Sequence, residues 1–312
     1  MPGGEFDWIA QLLRPLTRGA PEALDLLDDA AVIPSRPGFD LVITKDAMVA
    51  GLHFLPDDPL DLVARKLLRV NLSDLAAKGA QPWGYFLSTA WPTEAAWADK
   101  ALFAQGLAQD GEAFDISLLG GDTVTTPGPL TLTATLLGWT PQGRAVRRAG
   151  ARPGDLLAVS GAIGDGWLGL QAALGQIDSP SLADRYRLPT PRVDLIPVLR
   201  EHARAAADVS DGLLADAGHI ATASGCGVRI DLDGIPLSPE ARAWLGGEPA
   251  QADALAARAS GGDDYQVVCA LAPDAETPDG LTIIGRFVEG AGIVACFEGQ
   301  EIATDRLGWT HR

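Results

Sequence analysis

Cysteine is scarce in this chain of 312 residues: Cys226, Cys269 and Cys296 are widely spaced and odd in number. There is no Cys-x-x-Cys pair and no Cys/His cluster, which sets zinc and thiol redox chemistry aside. Cys269 and Cys296 lie inside apolar runs and read as small core residues. Long apolar stretches are missing too. None approaches the ~20 residues that a membrane-spanning helix requires. Met1-Pro2-Gly3-Gly4-Glu5 offers no basic start followed by an apolar stretch. A cytoplasmic chain with no membrane partner is expected. Positive charge is also short, with 24 Lys and Arg against 41 Asp and Glu and a net charge of −17. Neutralising phosphates along a nucleic acid needs a basic surface, so no nucleic-acid partner is expected. Most of the acidic excess reads as solvated surface. The phosphate-cradling pattern Gly-x-x-x-x-Gly-Lys-Ser/Thr is absent, and so is the protein-kinase signature set.

What remains is an ordinary folded composition, 47% hydrophobic and 21% charged, with enough length for two domains. Strands and helices alternate in the first half. Asp40 to Thr44 reads as a strand ending at Asp46, and Leu60 to Gly79 as a helix closed by Gly79 and Pro82. A second helix is expected from about Thr93, as N-cap, to Gly111. Ile116 to Leu119 reads as a strand stopped by Gly120-Gly121, and Leu130 to Trp139 alternates as a strand does. The stretch Arg144 to Asp155, rich in Arg, Gly and Pro, marks a boundary near residue 150. The second half then shows a strand at Leu156 to Ser160, a helix near Asp165 to Gly175 and another after Gly212. Further strands are read at Tyr265 to Leu271, Leu281 to Phe287 and Gly292 to Phe297. The expected class is α+β, mixed α/β, in two domains over residues 1–149 and 150–312.

Short acidic motifs recur where these elements are expected to meet turns. Thr44 and Asp46 share a strand face with Lys45 opposite, a hydroxyl and a carboxylate side by side that suit a magnesium shell. A plain strand end explains them equally. Asn71, Asp74 and Lys78 share a face of a helix apolar almost all round, where a buried Asp is costly unless paired or metal-bound. A buried pair with Lys78 is the other reading. Gly120-Gly121-Asp122-Thr123 can turn backbone N–H groups toward phosphate while Asp122 holds a metal, or can be an ordinary turn. In Asp208-Val209-Ser210-Asp211-Gly212, Ser210 or Asp211 can cap the next helix, which leaves Asp208 unexplained. The Asp pair in Gly261-Gly262-Asp263-Asp264-Tyr265 fits a turn. His53 is a candidate substrate group or a structural histidine. Arg144, Arg147 and Arg148 are phosphate anchors or a basic linker. Trp309 can stack on a ring or dock the tail.

Taken in order, these motifs resemble the thiamine-monophosphate kinases, in the superfamily of aminoimidazole ribonucleotide synthetase and selenophosphate synthetase. The resemblance runs from Gly4-Glu5-Phe6 through Asp28-Asp29-Ala30-Ala31, Val49 to Phe54, Val70 to Ala77 and Gly120 to Thr123. It continues through Arg152-Pro153-Gly154-Asp155, Ser210 to Leu213 and Gly261 to Tyr265 to Gly308-Trp309. It implies phosphoryl transfer from ATP to thiamine monophosphate, with several Mg2+ ions. The implied metal set is Asp29, Thr44, Lys45, Asp46, Asp74, Asp122, Asp208 and Asp211, with Lys45 bringing a cation beside the cluster. Gly121, Asp122, Arg148 and Ser210 are the implied ATP contacts, and His53, Asp263 and Trp309 the implied thiamine contacts. The resemblance also implies a homodimer joined through the N-terminal sheets, with the nucleotide in a groove between domains. The chain departs from the family where Lys45 replaces a more usual Thr and Asp263 a more usual Glu. Two rival readings are another ATP-dependent enzyme of the superfamily and a non-catalytic binder of nucleotide and magnesium.

Overall fold

The computed structural model describes residues 4–247, 251–304 and 306–310. Met1–Gly3, on which part of the N-terminal reading rests, lie outside the described residues. The chain divides into two compact units. One comprises Met1–Leu75 with Ala80–Gly143, the other Ala76–Gly79 with Arg144–Arg312. Both are mixed α/β, each built on one sheet, as the alternating sequence pattern led us to expect.

The first unit contains α1 (Glu5–Trp8), β1 (Phe39–Val49), α2 (Leu60–Ala77, of which Ala76 and Ala77 count with the second unit), β2 (Gln81–Pro92), α3 (Trp97–Ala113), β3 (Ser117–Thr126) and β4 (Thr131–Pro141). Its four-stranded sheet has the order β1-β4-β2-β3. β2 and β3 run parallel, joined by the α3 crossover that a parallel pair requires, and the other pairs are antiparallel. Alternation gives the sheet two unlike faces. Met48, Leu132, Ala134, Leu136, Tyr85, Leu87 and Trp91 fill the covered face, while Ile43, Lys45, Ala47 and Val124 lie exposed on the other. α2 covers the sheet with Leu67, Leu68, Leu72 and Leu75 fully buried, and α3 sets Phe103 edge-on to Trp91. The two helices are tied by Asp110, fully buried, whose carboxylate takes Arg65 Nε at 2.9 Å and Arg69 Nε at 2.6 Å.

Three local expectations fail here for identifiable reasons. Thr44-Lys45-Asp46 lies inside β1, not at its end, because β1 stays paired with β4 through Val49. β3 does not stop at Gly120-Gly121. It runs on to Thr126, with Gly121 paired to Leu87 and Asp122 to Ser88. α3 begins at Trp97, not Thr93. The Thr93 N–H donates to the Thr126 carbonyl at 3.2 Å, whereas Asp99 accepts the Ala96 N–H at 2.9 Å and caps the helix there.

The second unit holds β5 (Leu156–Ser160), α4 (Asp165–Ala173), α5 (Pro180–Arg187), α6 (Ile196–His202), β6 (Ala203–Asp208), α7 (Leu213–Ser224) and β7 (Gly227–Asp231). α8 (Pro239–Leu245), α9 (Gln251–Ala259), β8 (Val267–Leu271), β9 (Leu281–Val288), β10 (Gly292–Phe297) and β11 (Gln300–Ile302) complete it. The sheet has seven strands in the order β11-β10-β7-β9-β5-β8-β6 and is antiparallel except for β10 with β7. Both faces are covered. One core gathers Val159, Leu213, Leu214, Ile220, Val228 and Phe287, and the other gathers Leu195, Leu199, Val267, Cys269 and Leu271. That double burial explains the continuous apolar run of β8. β8 starts at Val267, not Tyr265, because Asp263 (φ 62°) and Tyr265 (φ 50°) are left-handed and cannot enter a ladder. All three cysteines are buried and unpaired.

The β3 geometry gives Gly121 a packing role. A side-chain carbon there would be driven into the Leu87 carbonyl oxygen of the neighbouring strand. Gly121→Ala should lower stability in urea denaturation by about 2–4 kcal/mol. Gly128→Ala, whose added carbon meets Thr126 Oγ1 at 3.4 Å, should leave stability nearly unchanged.

Candidate functional site

In the first unit the structure brings together Thr44, Asp46 and Asp74. Thr44 and Asp46 sit on the covered face of β1, and the Thr44 hydroxyl donates a short hydrogen bond to Asp74 Oδ2 on α2. Burial, and then the negative charge of Asp74, push the Asp46 carboxyl up to about 7. Asp74 is half-buried, less enclosed than the apolar sequence around it suggests, while Leu72 and Leu75 beside it are fully buried. One turn earlier, the Asn71 amide nitrogen donates to the Leu67 carbonyl at 2.9 Å, and its buried oxygen has no partner among the described residues.

The remaining acids of this unit stand elsewhere. Asp29 is exposed ahead of β1, and its N–H donates to Asp28 Oδ1 at 2.7 Å. Asp122 faces away from Asp46. Its neighbour Thr123 points to the covered side, 3.1 Å from the Thr89 hydroxyl and 3.0 Å from Trp8 Nε1, so Asp122 emerges on the open side. It is also three strand spacings from β1 along the sheet order, roughly 14 Å. Lys45 shares the open face. His53 lies in the turn after β1, where its Nδ1 accepts the Val49 N–H at 3.0 Å. Lys78 belongs to the second unit, where its ammonium donates to the Ala206 carbonyl at 2.6 Å.

The second unit gathers more. Asp208, nearly buried, ends β6, and the chain then turns through Ser210, Asp211 and Gly212 into α7. All three N–H groups of that turn donate to Asp216 Oδ2, at 3.1, 3.1 and 3.2 Å. The expectation that Ser210 or Asp211 caps α7 is therefore corrected: the accepting oxygen comes from Asp216, inside the first helical turn. Burial, then the charge of Asp211, push the Asp216 carboxyl up to about 7, with the two N–H groups and Arg148 pulling the other way. His219 lies one turn along the same helix, and ligand atoms of Asp211, Asp216 and His219 fall within 4.8 Å of one another. Asp216 and His219 were not singled out from the sequence. Their i, i+3 spacing just after Ser-Asp-Gly was the available signal.

The carbonyl groups of the same turn recruit the other motifs. Asp263 N–H donates to the Ser210 carbonyl at 2.9 Å, Tyr265 N–H to the Val209 carbonyl at 2.8 Å and Trp309 N–H to the Asp211 carbonyl at 2.8 Å. Gly308 is needed for the last contact, since a side-chain carbon there would meet Ala215 Cβ at 2.5 Å. The Tyr265 hydroxyl holds Asp263 Oδ1 at 3.0 Å, and the Arg306 guanidinium stands 5.2 Å from the Trp309 ring centre. Asp263 opens onto a cavity of about 270 Å³ lined also by Asp165, Arg185, Ser238, Asp264 and Gln266. Arg144 is committed to α6 through the Arg200 carbonyl at 2.9 Å, which leaves Arg148 as the basic side chain whose field reaches Asp216.

Chemically, the first set offers hard oxygen donors alone, while the second adds the imidazole nitrogen of His219 to its carboxylates. Asp46 and Asp74 repel one another across a partly buried space, and the buried Asn71 amide oxygen is an orphan on the same helix face. Such a donor set fits a divalent cation of the magnesium type.

Two family models cover most of the chain. The N-terminal domain of AIR synthase related proteins matches residues 27–140, and their C-terminal domain matches residues 152–297. This defines the class as two-domain proteins of the AIR synthase type. A thiamine-monophosphate kinase of Caulobacter vibrioides is 60% identical, over 99% of this chain and 91% of its own length. Among solved structures, a thiamine-monophosphate kinase from Stenotrophomonas maltophilia is 37% identical, covers 89% of this chain and 91% of its own, and has a TM-score of 0.78. AaThiL complexed with AMPPCP and TMP is 29% identical, covers 99% of this chain and 97% of its own, and has a TM-score of 0.80. The chain belongs to the thiamine-monophosphate kinase family.

The Asp46 environment makes a pH-linked expectation. An unfolded chain ionises Asp46 near its ordinary value of 3.8, whereas the metal-free fold holds the proton up to about 7. The stability present below the lower value therefore drains away as pH rises through the upper one. In chelator, Asp46→Asn should exceed the unaltered protein in stability by about 2 kcal/mol at pH ~8, and the gap should close toward pH ~5. Urea denaturation at the two pH values measures it. Added magnesium should favour the unaltered protein.

Proposed function

We propose that this chain transfers the γ-phosphoryl group of ATP to thiamine monophosphate, giving thiamine diphosphate and ADP. The observation that carries the reading is the gathering of Ser210, Asp211, Asp263 and Trp309 by main-chain hydrogen bonds, in a chain that matches thiamine-monophosphate kinases along almost its whole length.

In this reading the N-terminal domain binds ATP and magnesium and makes the dimer, while the C-terminal domain completes the substrate site. Asp46, Asp74 and Thr44 would hold magnesium in the first unit, and Asp208 and Asp211 in the second, while Asp29 and Asp122, which stand apart from the Asp46 group, would each meet magnesium separately. Lys45 stands on the open face and offsets part of the charge. Bound magnesium supplies the positive charge that lets two anionic phosphates approach. Without it, unit charges at 4 Å repel by about 4 kcal/mol at an effective dielectric of 20. Gly121, Asp122, Arg148 and Ser210 meet ATP, and His53, Asp263 and Trp309 meet the thiamine moiety. Asp263 sets an anion toward the thiazolium cation, and Trp309 offers a ring face held in place by its N–H bond to Asp211.

The attacking atom is a phosphate oxygen of thiamine monophosphate, already deprotonated at neutral pH, so no general base is required. A bond forms from that oxygen to the γ-phosphorus, and the bond to the β,γ-bridging oxygen breaks. ADP leaves with the electron pair. Catalysis is then positioning and charge neutralisation, as in other phosphoryl transfers. The use of ATP places the reaction in the cytoplasm, and no helix among the described residues is long and apolar enough to cross a membrane.

A second copy of the chain is the occupant we assign to the open face of the first sheet. Ile43 there is 59% exposed and Val124 50% exposed, an apolar surface that an isolated sheet leaves in water.

Mass spectrometry of a mixture of protein, ATP, magnesium and thiamine monophosphate should detect thiamine diphosphate. Its absence under excess substrate rejects the reading. Asp74→Asn should reduce turnover at least about 100-fold with the fold intact by circular dichroism, since it keeps shape and removes charge. Sedimentation should show a dimer, and Ile43→Lys should shift it to monomer. A monomeric unaltered protein removes the dimer assignment.

A further inference from the structure

The Gly-Gly-Asp-Asp-Tyr segment contains two adjacent aspartates with unlike surroundings. Asp263 is half-buried and its carboxylate is held by the Tyr265 hydroxyl. Asp264 is only 7% exposed, and its two oxygens accept the Gly164 N–H at 2.9 and 2.8 Å, with Oδ1 also accepting the Gly166 N–H at 2.9 Å. These donors belong to the start of α4, where N–H groups have no partner within the helix. Burial pushes the Asp264 carboxyl up to about 7 while those same N–H groups draw it down, so its main partners are main-chain donors. Arg258, 1% exposed, gives no direct bond through Nε or Nη1 to any described residue.

The contact is built tightly on both sides. A side-chain carbon at Gly166 would run into the Asp263 carbonyl group, and one at Gly164, itself at φ +87°, would meet Arg258 Cβ at 2.7 Å. The start of α4 thus lies directly against the main chain of Asp263. That main chain is strained. Asp263 and Tyr265 both have positive φ, and a non-glycine residue held there costs about 1–2 kcal/mol. Strained backbone persists only where its surroundings over-determine it. The N–H bonds to Ser210 and Val209 hold the loop on one side, and Asp264 holds it on the other.

We propose that Asp264 is a positioning residue: its buried carboxylate clamps the 261–265 loop to the start of α4 and thereby fixes where the Asp263 carboxylate stands in the cavity. The proposal deepens the functional reading above and rests on its assignment of Asp263 to the thiamine moiety. It places the effect of Asp264 on thiamine monophosphate and not on ATP, because the clamped loop carries no residue assigned to the nucleotide.

Asp264→Asn keeps the shape but removes the charge and sets an amide NH2 against the Gly164 donor, in the place of the Oδ2 that accepts from it. With the full-length protein, the KM for thiamine monophosphate should rise about tenfold while the KM for ATP stays within about twofold. Hydrogen exchange should speed up at residues 164–166 and 261–265 and nowhere else. Asp263→Ala combined with Asp264→Asn should raise the KM for thiamine monophosphate no further than Asp263→Ala alone, since the second residue acts through the first. Additive effects, a joint rise of both KM values, or unchanged exchange at 164–166 would each overturn the proposal. Should Asp263→Ala leave the KM unaltered, or the unaltered protein show no turnover, the functional reading fails and exchange alone judges the clamp: local acceleration sustains it, no change defeats it. If Asp264→Asn does not fold, Asp264→Ser carries the same measurements.

Discussion

The second unit hangs on one carboxylate oxygen. Asp216 Oδ2 takes the N–H groups of Ser210, Asp211 and Gly212, and in doing so it turns their peptide planes outward. The carbonyl oxygens of Val209, Ser210 and Asp211 are then presented in a row, and each receives an N–H from a distant segment. A main-chain group has one donor and one acceptor to satisfy. Here the donors are spent inward on α7 and the acceptors outward on the 261–265 loop and the tail. The proposed substrate groups Asp263 and Trp309 are placed by backbone, which fixes them more firmly than contacts between their own side chains.

An acidic chain meets a cost whenever it buries a carboxylate, and this one meets it in three ways. Asp110 is offset by two arginines across α2 and α3. Asp216 and Asp264 are offset by main-chain N–H groups at helix starts, where the helix dipole also favours a negative charge. Asp46 and Asp74 repel one another, with the Thr44 hydroxyl donating to Asp74. The first two solutions leave the carboxylate occupied, so those residues read as structure. The third leaves like charges in mutual repulsion, an arrangement that a protein keeps when something positive visits.

Much of the fold could be read from period and punctuation. The alternation of β4 and the buried helix α2 emerged where the pattern put them, and the apolar run of β8 did so from Val267 onward. What the sequence did not disclose was tertiary. Gly120-Gly121 looks like a turn and is a strand, because its neighbour β2 needs the room that glycine leaves. Thr93 looks like a cap and serves the sheet through Thr126. Of the residues proposed for the site, the joining of Ser210, Asp211, Asp263 and Trp309 depends on three segments far apart in sequence, which no local window contains. Asp216 and His219 escaped notice because a carboxylate inside a helix looks like ordinary solvated surface until its burial is known. The opposite facing of Asp46 and Asp122 likewise needs the sheet order, which the sequence leaves open.

The docking of Gly308-Trp309 on the Asp211 carbonyl has a consequence for how the molecule comes into being. A growing polypeptide emerges from its first residues onward, so the β6–α7 turn is made before the Gly308-Trp309 segment that docks on it. Trp309, the ring wall of the proposed thiamine site, is therefore made after every other residue assigned to it. Closing the contact across so long a stretch of chain costs entropy that grows only slowly with length, and a rigid receiving surface lowers it further. In this reading the site can be completed only once Trp309 has been made.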